Sequence, residues 1–253
     1  MRSRKLALAL TSALATMAVA FGAQAASAVF PNFTGCTATN IATEGCIDIQ
    51  NRTANFNIKG FNVPLGESLE IRGTLVPDGS GGMLFVPPAG TNGFFARAVP
   101  VPGGVFGIEW LPGNSVLAIT ELAGSASQIK ININDMGVRL PVKVRLVNVL
   151  LGMDCHIGTN RNPVNLNLIT GTTSPPPPNT PISGRAGTPT LTERGIIFTG
   201  NVNVENSFAV PGATECGLGL GLINSLVNLR LRLPSAAGNN SMQIVNDVAL
   251  GLP

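Results

Sequence analysis

Four stretches decide the fold: Asn201-Val202-Asn203-Val204-Glu205, Asn228-Leu229-Arg230-Leu231-Arg232-Leu233, Gln128-Ile129-Lys130-Ile131-Asn132-Ile133-Asn134 and Asn165-Leu166-Asn167-Leu168. Each alternates polar with apolar at every step. A period of two puts the apolar members on one face of an extended strand and the polar members on the other. All four are therefore read as strands with a polar face outward. Pro141–Val149 begins the same way, with Val142, Val144 and Leu146 on one face and Lys143 and Arg145 opposite. Its phase then flips, because Val147 and Val149 are apolar and Asn148 is polar, which predicts a bulge or a change of burial.

Working outward, shorter strands are expected at Ala54–Ile58, Ser68–Val76, Met83–Val86, Val105–Ile108, Val116–Leu122, Ile196–Phe198 and Gln243–Leu250. Pro77-Asp78-Gly79, Pro87-Pro88, Pro102-Gly103-Gly104, Pro112-Gly113-Asn114 and Pro211-Gly212 separate them. Gly admits positive φ and Pro presets φ, so these short runs interrupt strands. Leu218–Val227 offers at most one or two helical turns, and no helix of ten residues is expected in the body of the chain. Short strands with Gly/Pro turns predict an all-β fold, an antiparallel sandwich or a barrel-like relative of it. Asn is disfavoured in strands, yet 24 of the 253 residues are Asn. The expected reading is a neutral, wettable exterior; the sharper one is a polar face that hydrogen-bonds a glycan or a second copy.

The segment 1–25 reads as an address. Arg2, Arg4 and Lys5 precede an uncharged apolar run, Leu6–Phe21, and Ala23-Gln24-Ala25 follows as a small-x-small site. This is the layout of a secretory signal peptide, with cleavage expected after Ala25 and, as second choice, after Ala28. The apolar run is shorter than the ~20 residues of a membrane span, and the rest of the chain contains no comparable stretch. The mature chain is expected to be a single domain over 26–253, with a division into two lobes near 123–127 as the alternative. Removing Arg2, Arg4 and Lys5 from the 16 basic residues leaves 13 against 13 acidic ones. A balanced chain with no basic run offers nothing to nucleic acid. The charged fraction, 11%, is less than half the ~25% of an ordinary domain. Absent Tyr and a lone Trp110 leave no aromatic girdle for a membrane barrel.

Export gives Cys36, Cys46, Cys155 and Cys216 a meaning, because an even cysteine count in an exported chain reads as disulfides. Three pairings are possible. Closeness in sequence favours Cys36 with Cys46, which leaves Cys155 with Cys216 across a loop of about 60 residues; chain entropy makes such crosslinks worth about 3 and 4 kcal/mol. The functional alternative, a reactive thiol at Cys155 beside His156, is disfavoured because strand neighbours point to opposite faces. Thr170–Pro189, with four consecutive prolines from Pro175, is read as a loop tied back between the two later cysteines.

Motifs for chemistry are nearly lacking. His156 is the only histidine, so any Ser-His-Asp scheme or secreted hydrolase must use it. Asp154-Cys155-His156 lacks the spaced partners of a metal site. Gly217–Leu222 lacks the spacing of a phosphate loop. Glu67 and Glu70, three apart in a strand, read as solvated acids rather than a catalytic pair. No catalytic residue, cofactor or metal is expected.

Five phrases together carry a resemblance: PLGESLEIRG from Pro64, PVKVRLVNVLLGMDCHIG from Pro141, NPVNLNLITGTTSPPPPNTPISG from Asn162, ENSFAVPGATECG from Glu205 and LVNLRLRLPSAAGNN from Leu226. They resemble a family of exported actinobacterial proteins of unknown function, over roughly residues 36–250. The resemblance implies secretion and supports the Cys155–Cys216 pair; it transfers no activity. The expected function is a secreted, non-catalytic β protein of the extracellular space or cell envelope that binds a surface, a glycan or a protein. The alternatives are a carrier of a lipid or other apolar small molecule inside the β fold, and a hydrolase using His156.

Overall fold

The computed structural model describes residues 30–40, 43–80, 82–108, 111–217 and 221–253. The cleavage sites at Ala25 and Ala28, and Trp110, lie outside the described residues. In chain order the strands are β1 (Gly45–Ile58), β2 (Phe61–Pro64), β3 (Leu69–Pro77), β4 (Met83–Val86), β5 (Phe94–Ala96), β6 (Val99–Val101) and β7 (Val116–Leu122). There follow β8 (Lys130–Asn132), β9 (Gly137–Val147), β10 (His156–Ile157) and β11 (Val164–Leu168). The last are β12 (Thr188–Thr192), β13 (Gly195–Glu205), β14 (Ala213–Thr214) and β15 (Asn240–Gly251), with helix α1 (Gly221–Leu231) before the final strand.

These form two antiparallel sheets packed together, an all-β sandwich-like fold. The larger runs β12-β13-β15-β1-β3-β4, with β2 added to β1 and β5 to β3; the smaller runs β14-β10-β9-β7-β6, with β8 and β11 also on β9. The first and last long strands pair over almost their whole length, Cys46 opposite Gly251 through Ile58 opposite Asn240. One hydrophobic cluster draws on both sheets, from Ile47, Ile49 and Ile71 to Val138, Leu140 and Val142. Each such side chain removed from water stabilises the fold by about 1.5–3 kcal/mol. Residues 123–127 link β7 to the 3-10 turn before β8, and the Ala123 N–H donates to the Pro141 carbonyl of β9.

Several local expectations are corrected. Asn228–Leu233 is not a strand: most of it belongs to α1, an 11-residue helix. Leu and Arg are good helix formers, and this stretch carries no β-branched residue. Val227 and Leu231, four apart, are the buried positions, while Asn224 and Asn228, also four apart, accept the N–H groups of Cys216 and Ala213 at 2.8 and 2.7 Å. Val105–Ile108 is a turn rather than a strand. Gly104 has φ +57°, and a Cβ there would meet the Asn114 carbonyl oxygen at 2.1 Å, so the tight approach requires glycine. Of Gln128–Asn134 only Lys130–Asn132 is strand, after a 3-10 turn at Ala126–Gln128. β9 shows no bulge at its apolar end; it stops at Val147 and turns.

The asparagines also differ from expectation. Asn201 and Asn203 are buried, in register with Asn246 and Ile244 of β15. Asn203 Nδ2 donates to the Met136 carbonyl at 2.8 Å and its Oδ1 accepts from Asn246 Nδ2 at 2.7 Å. Asn114 is the hub of the 103–114 loop, bonded to the carbonyls of Gly103 and Ile108 and to the N–H of Phe106. A buried amide satisfied in this way substitutes for backbone pairing that irregular segments lack. Much of the Asn content therefore joins loops to strands instead of wetting the exterior.

Candidate functional site

Both disulfides form as expected, Cys36 with Cys46 and Cys155 with Cys216; among the described residues there is no free cysteine. The thiol reading of Cys155 is thereby overturned. The two bridges anchor the two places where charged groups gather.

The first place is the outer face of the larger sheet. Cys46 holds residues 30–40 against β1 and β3, opposite the face that carries Ile47 and Ile49. Under this segment lie Asp48, Glu70 and Arg72. Asp48 Oδ2 accepts the Asn32 N–H at 2.5 Å and the Gln50 side chain at 3.0 Å, and Glu70 accepts from Asn32 and Arg72 at 3.0 and 2.7 Å. The Arg72 guanidinium also stacks on Phe95, 4.1 Å from the ring centre. Burial pushes the Asp48 carboxyl up to about 7, helped by the neighbouring Glu70 charge and opposed by the hydrogen bonds and Arg72. Its Oδ1 is buried and has no hydrogen-bond partner among the described residues. Glu67 is exposed in the preceding turn, so Glu67 and Glu70 differ in surroundings; only Glu70 joins the ladder. Beside it, Gln50, Arg52, Glu67, Glu70, Phe95 and Arg97 help line a surface cleft of about 310 Å³.

The second place is the outer face of the smaller sheet. Register sets Glu121 opposite Lys143, Ile119 opposite Arg145 and Arg145 opposite His156. Glu121 is bonded to Arg145 Nε at 2.7 Å, with Lys143 Nζ at 3.5 Å and His156 Nε2 at 3.6 Å. Burial pushes the Glu121 carboxyl up, but the Arg145 bond and the charges of Arg145, Lys143 and His156 outweigh it and hold it below the usual range. His156 Nδ1 is 2.7 Å from the Asp154 carbonyl, so it donates there. One ring nitrogen thus faces the acid of the row and the other the backbone carbonyl two residues before it. The structure brings His156 to an acid and two cations, a grouping the sequence order does not reveal.

Beyond this row the same sheet ends in an apolar surface. Three segments meet there. The loop after β6 and the loop between β9 and β10 are joined by Asn148 Nδ2, which donates to the carbonyls of Gly113 and Ser115. The second loop meets the approach to α1 through the Gly217 N–H, 2.7 Å from the Leu151 carbonyl, and through Cys155–Cys216. Arg230 of α1 donates to the Pro102 carbonyl at 3.0 Å. Twelve large hydrophobic residues are exposed among the described residues, and eight belong here. Phe106, Ile108 and Leu117 come from the first segment, Val149, Leu150 and Met153 from the second, and Leu222 and Leu229 from α1. Val149 is 95% exposed, Leu222 83% and Met153 76%. An ordinary surface scatters such residues singly; here eight fall on three segments that bond to one another.

Between the sheets an almost wholly apolar cavity of about 100 Å³ is lined by residues such as Phe56, Leu65, Phe94, Leu140 and Ile244, below the ≈300 Å³ at which ligand pockets begin. A larger cleft, about 670 Å³, opens between Phe33, the β12–β13 turn at Glu193–Gly195 and Pro253. Among the described residues no group of three or more metal-binding side chains converges, and no helix is long and apolar enough to cross a membrane. No family model, no curated protein and no solved structure matches this chain.

Proposed function

We propose that the protein is an exported, non-catalytic interaction protein of the extracellular space or cell envelope, and that its working surface is the apolar end of the smaller sheet. The signal-like segment 1–25 and two disulfides favour an oxidising compartment outside the cytoplasm. The single observation that carries the reading is the gathering of eight exposed hydrophobic residues on three mutually bonded segments. Leaving such side chains in water forgoes burial worth about 1.5–3 kcal/mol each, and a partner that covers them recovers it.

The alternatives find less support. An apolar small molecule inside the sandwich has a space of about 100 Å³, suited to a benzene-sized guest rather than a lipid. A hydrolase needs His156 to reach a nucleophile, and its nitrogens face Asp154 and Glu121. Incubating the mature protein with isolated envelope fractions and washing tests the main reading. Retention is expected, with loss of retention in a Val149→Ser/Met153→Ser variant; absence of retention on every fraction defeats it.

A further inference from the structure

We propose that residues 30–35 form a pH-released cover on the outer face of the larger sheet: tethered at the Cys36–Cys46 bridge, they close over Asp48 and Glu70 in acid and lift away as the solution becomes neutral to alkaline. The inference goes beyond the interaction reading and does not depend on it.

The segment 30–40 has two halves that are held differently. Residues 36–40 are fixed by the Cys36–Cys46 bond, by the buried Ala38 and by the Thr37 N–H, which donates to Thr74 Oγ1 at 3.0 Å. Residues 30–35 are held through ionisable groups. Among the described residues their hydrogen bonds to the sheet both come from Asn32, its N–H to Asp48 Oδ2 and its side chain to Glu70. The Phe30 ring adds a contact with the Arg52 guanidinium at 5.8 Å. One residue therefore bridges two carboxylates, and their charge decides how firmly it is held.

What lies beneath favours opening. Asp48 is fully buried, yet its Oδ1 has no hydrogen-bond partner among the described residues, and neither has Arg72 Nε. A buried polar atom left unpaired is costly, and water that reaches it recovers the loss. Asp48 and Glu70 also repel once both are ionised, a repulsion that Arg72 offsets in part. Other charges stand further off. β15 sets Ala249 opposite Asp48. Arg52 and Asp247, next along the face, pair with each other at 2.6 Å. Glu193 and Arg194 lie across the larger cleft, Glu44 precedes β1, and residues 30–40 contain no acid or base. Burial lifts the Asp48 carboxyl from 3.8 to about 7, so the closed state holds the proton more tightly than the open one. Closure is at full strength below about pH 4 and weakens as pH rises through 7.

Lifting has a structural consequence. Pro31, Phe33 and Thr34 wall the cleft of about 670 Å³, and Glu70, bonded to Asn32, lines the cleft of about 310 Å³. The cover stands between the two, and its release opens one onto the other.

The test is hydrogen–deuterium exchange of the mature, disulfide-intact protein at pH 5 and pH 8, with each amide corrected for its intrinsic rate. Protection over 30–35, read chiefly at Asn32, is expected to fall by roughly 10- to 100-fold between the two. At both pH values it should lie at least about tenfold below that of the β1 and β15 amides, as local opening requires. Residues 36–40 should stay better protected than 30–35. Asp48→Asn retains an oxygen that accepts the Asn32 N–H and cannot ionise, so its 30–35 protection should be the same at both pH values. Unchanged wild-type protection over 30–35 overturns the proposal. So does protection equal to that of β1 and β15, because the cover then leaves only when the whole chain unfolds. A full pH response retained by a folded Asp48→Asn protein overturns it as well. Circular dichroism checks the fold of the variant, and if it does not fold the wild-type comparison alone decides.

Discussion

Asn201–Glu205 and Asn228–Leu233 carry the same polar–apolar alternation and end as different structures. The first is the last portion of β13, with all five residues buried. The second lies mostly in α1, with Leu229 exposed and Leu231 buried. Two physical differences separate them. The first uses Val, whose branched Cβ favours the extended chain, whereas the second uses Leu and Arg, which lose little in a helix. Their asparagines also find different partners: Asn203 donates to the Met136 carbonyl in the turn between β8 and β9, and Asn228 accepts the Ala213 N–H of the short strand β14 beside the helix. A third stretch, Cys46-Ile47-Asp48-Ile49-Gln50, alternates equally well, yet its polar face is covered by residues 30–40. Alternation alone reports that two faces differ; it leaves open what covers each face, and at Asn228 it does not even identify the backbone.

The largest effect expected along this comparison concerns Asp48. Its folded pKa, about 7, lies above the ordinary 3.8, so the folded state holds the proton more tightly. The associated stability is full below about pH 4 and is lost as pH rises through 7, a swing on the order of 4 kcal/mol. The urea midpoint of the wild type should fall over this range, and that of Asp48→Asn should change much less; equal pH dependence in the two proteins rejects the assignment. Glu121, with a lowered carboxyl, acts with the opposite sign, its contribution being lost only as pH falls below the usual carboxylate range.

Next in size is Asn203→Ala. It leaves the Met136 carbonyl and the Asn246 side chain without a partner in the interior, at a cost of about 2–4 kcal/mol; a shift of the unfolding midpoint equivalent to less than about 1 kcal/mol would show that water replaces the amide. Asn228→Ala removes one hydrogen bond at the helix–loop contact, so about 1 kcal/mol is expected in the same assay, with the helical signal retained. Smallest is Leu229→Ser, within about 0.5 kcal/mol on stability, because this side chain is 79% exposed. A larger loss would mean that Leu229 packs in solution against something the single chain does not contain.

Legibility from sequence follows the range of the interactions. Met83–Val86 and Val116–Leu122 coincide with β4 and β7, because strand residues bounded by Gly/Pro turns specify extended backbone locally. Val105–Ile108 has strand-forming residues but is a turn, held by Asn114 from the far side of the loop. β12, fully exposed and reading Thr-Pro-Thr-Leu-Thr, lacks an alternating pattern and exists through pairing with β13. Within the candidate site, the sequence singles out His156 but gives it the wrong company. Its neighbours in space, Glu121 and Arg145, come from strands β7 and β9, and only sheet register brings them together. The apolar end has only a faint signal, the hydrophobic run Val147–Leu151 after a phase change, because exposure is not written in residue type.

The sequence by itself determined an all-β body, the four cysteines available for crosslinking and a balanced, sparse charge beyond the segment 1–25. Those properties depend on composition and on short-range periodicity. The tertiary structure alone decided which polar faces are buried, that Asn228 lies in a helix, and that exposed apolar residues of three distant segments meet at one end. These are consequences of strand order and packing, in which partners far apart along the chain set the environment of each side chain.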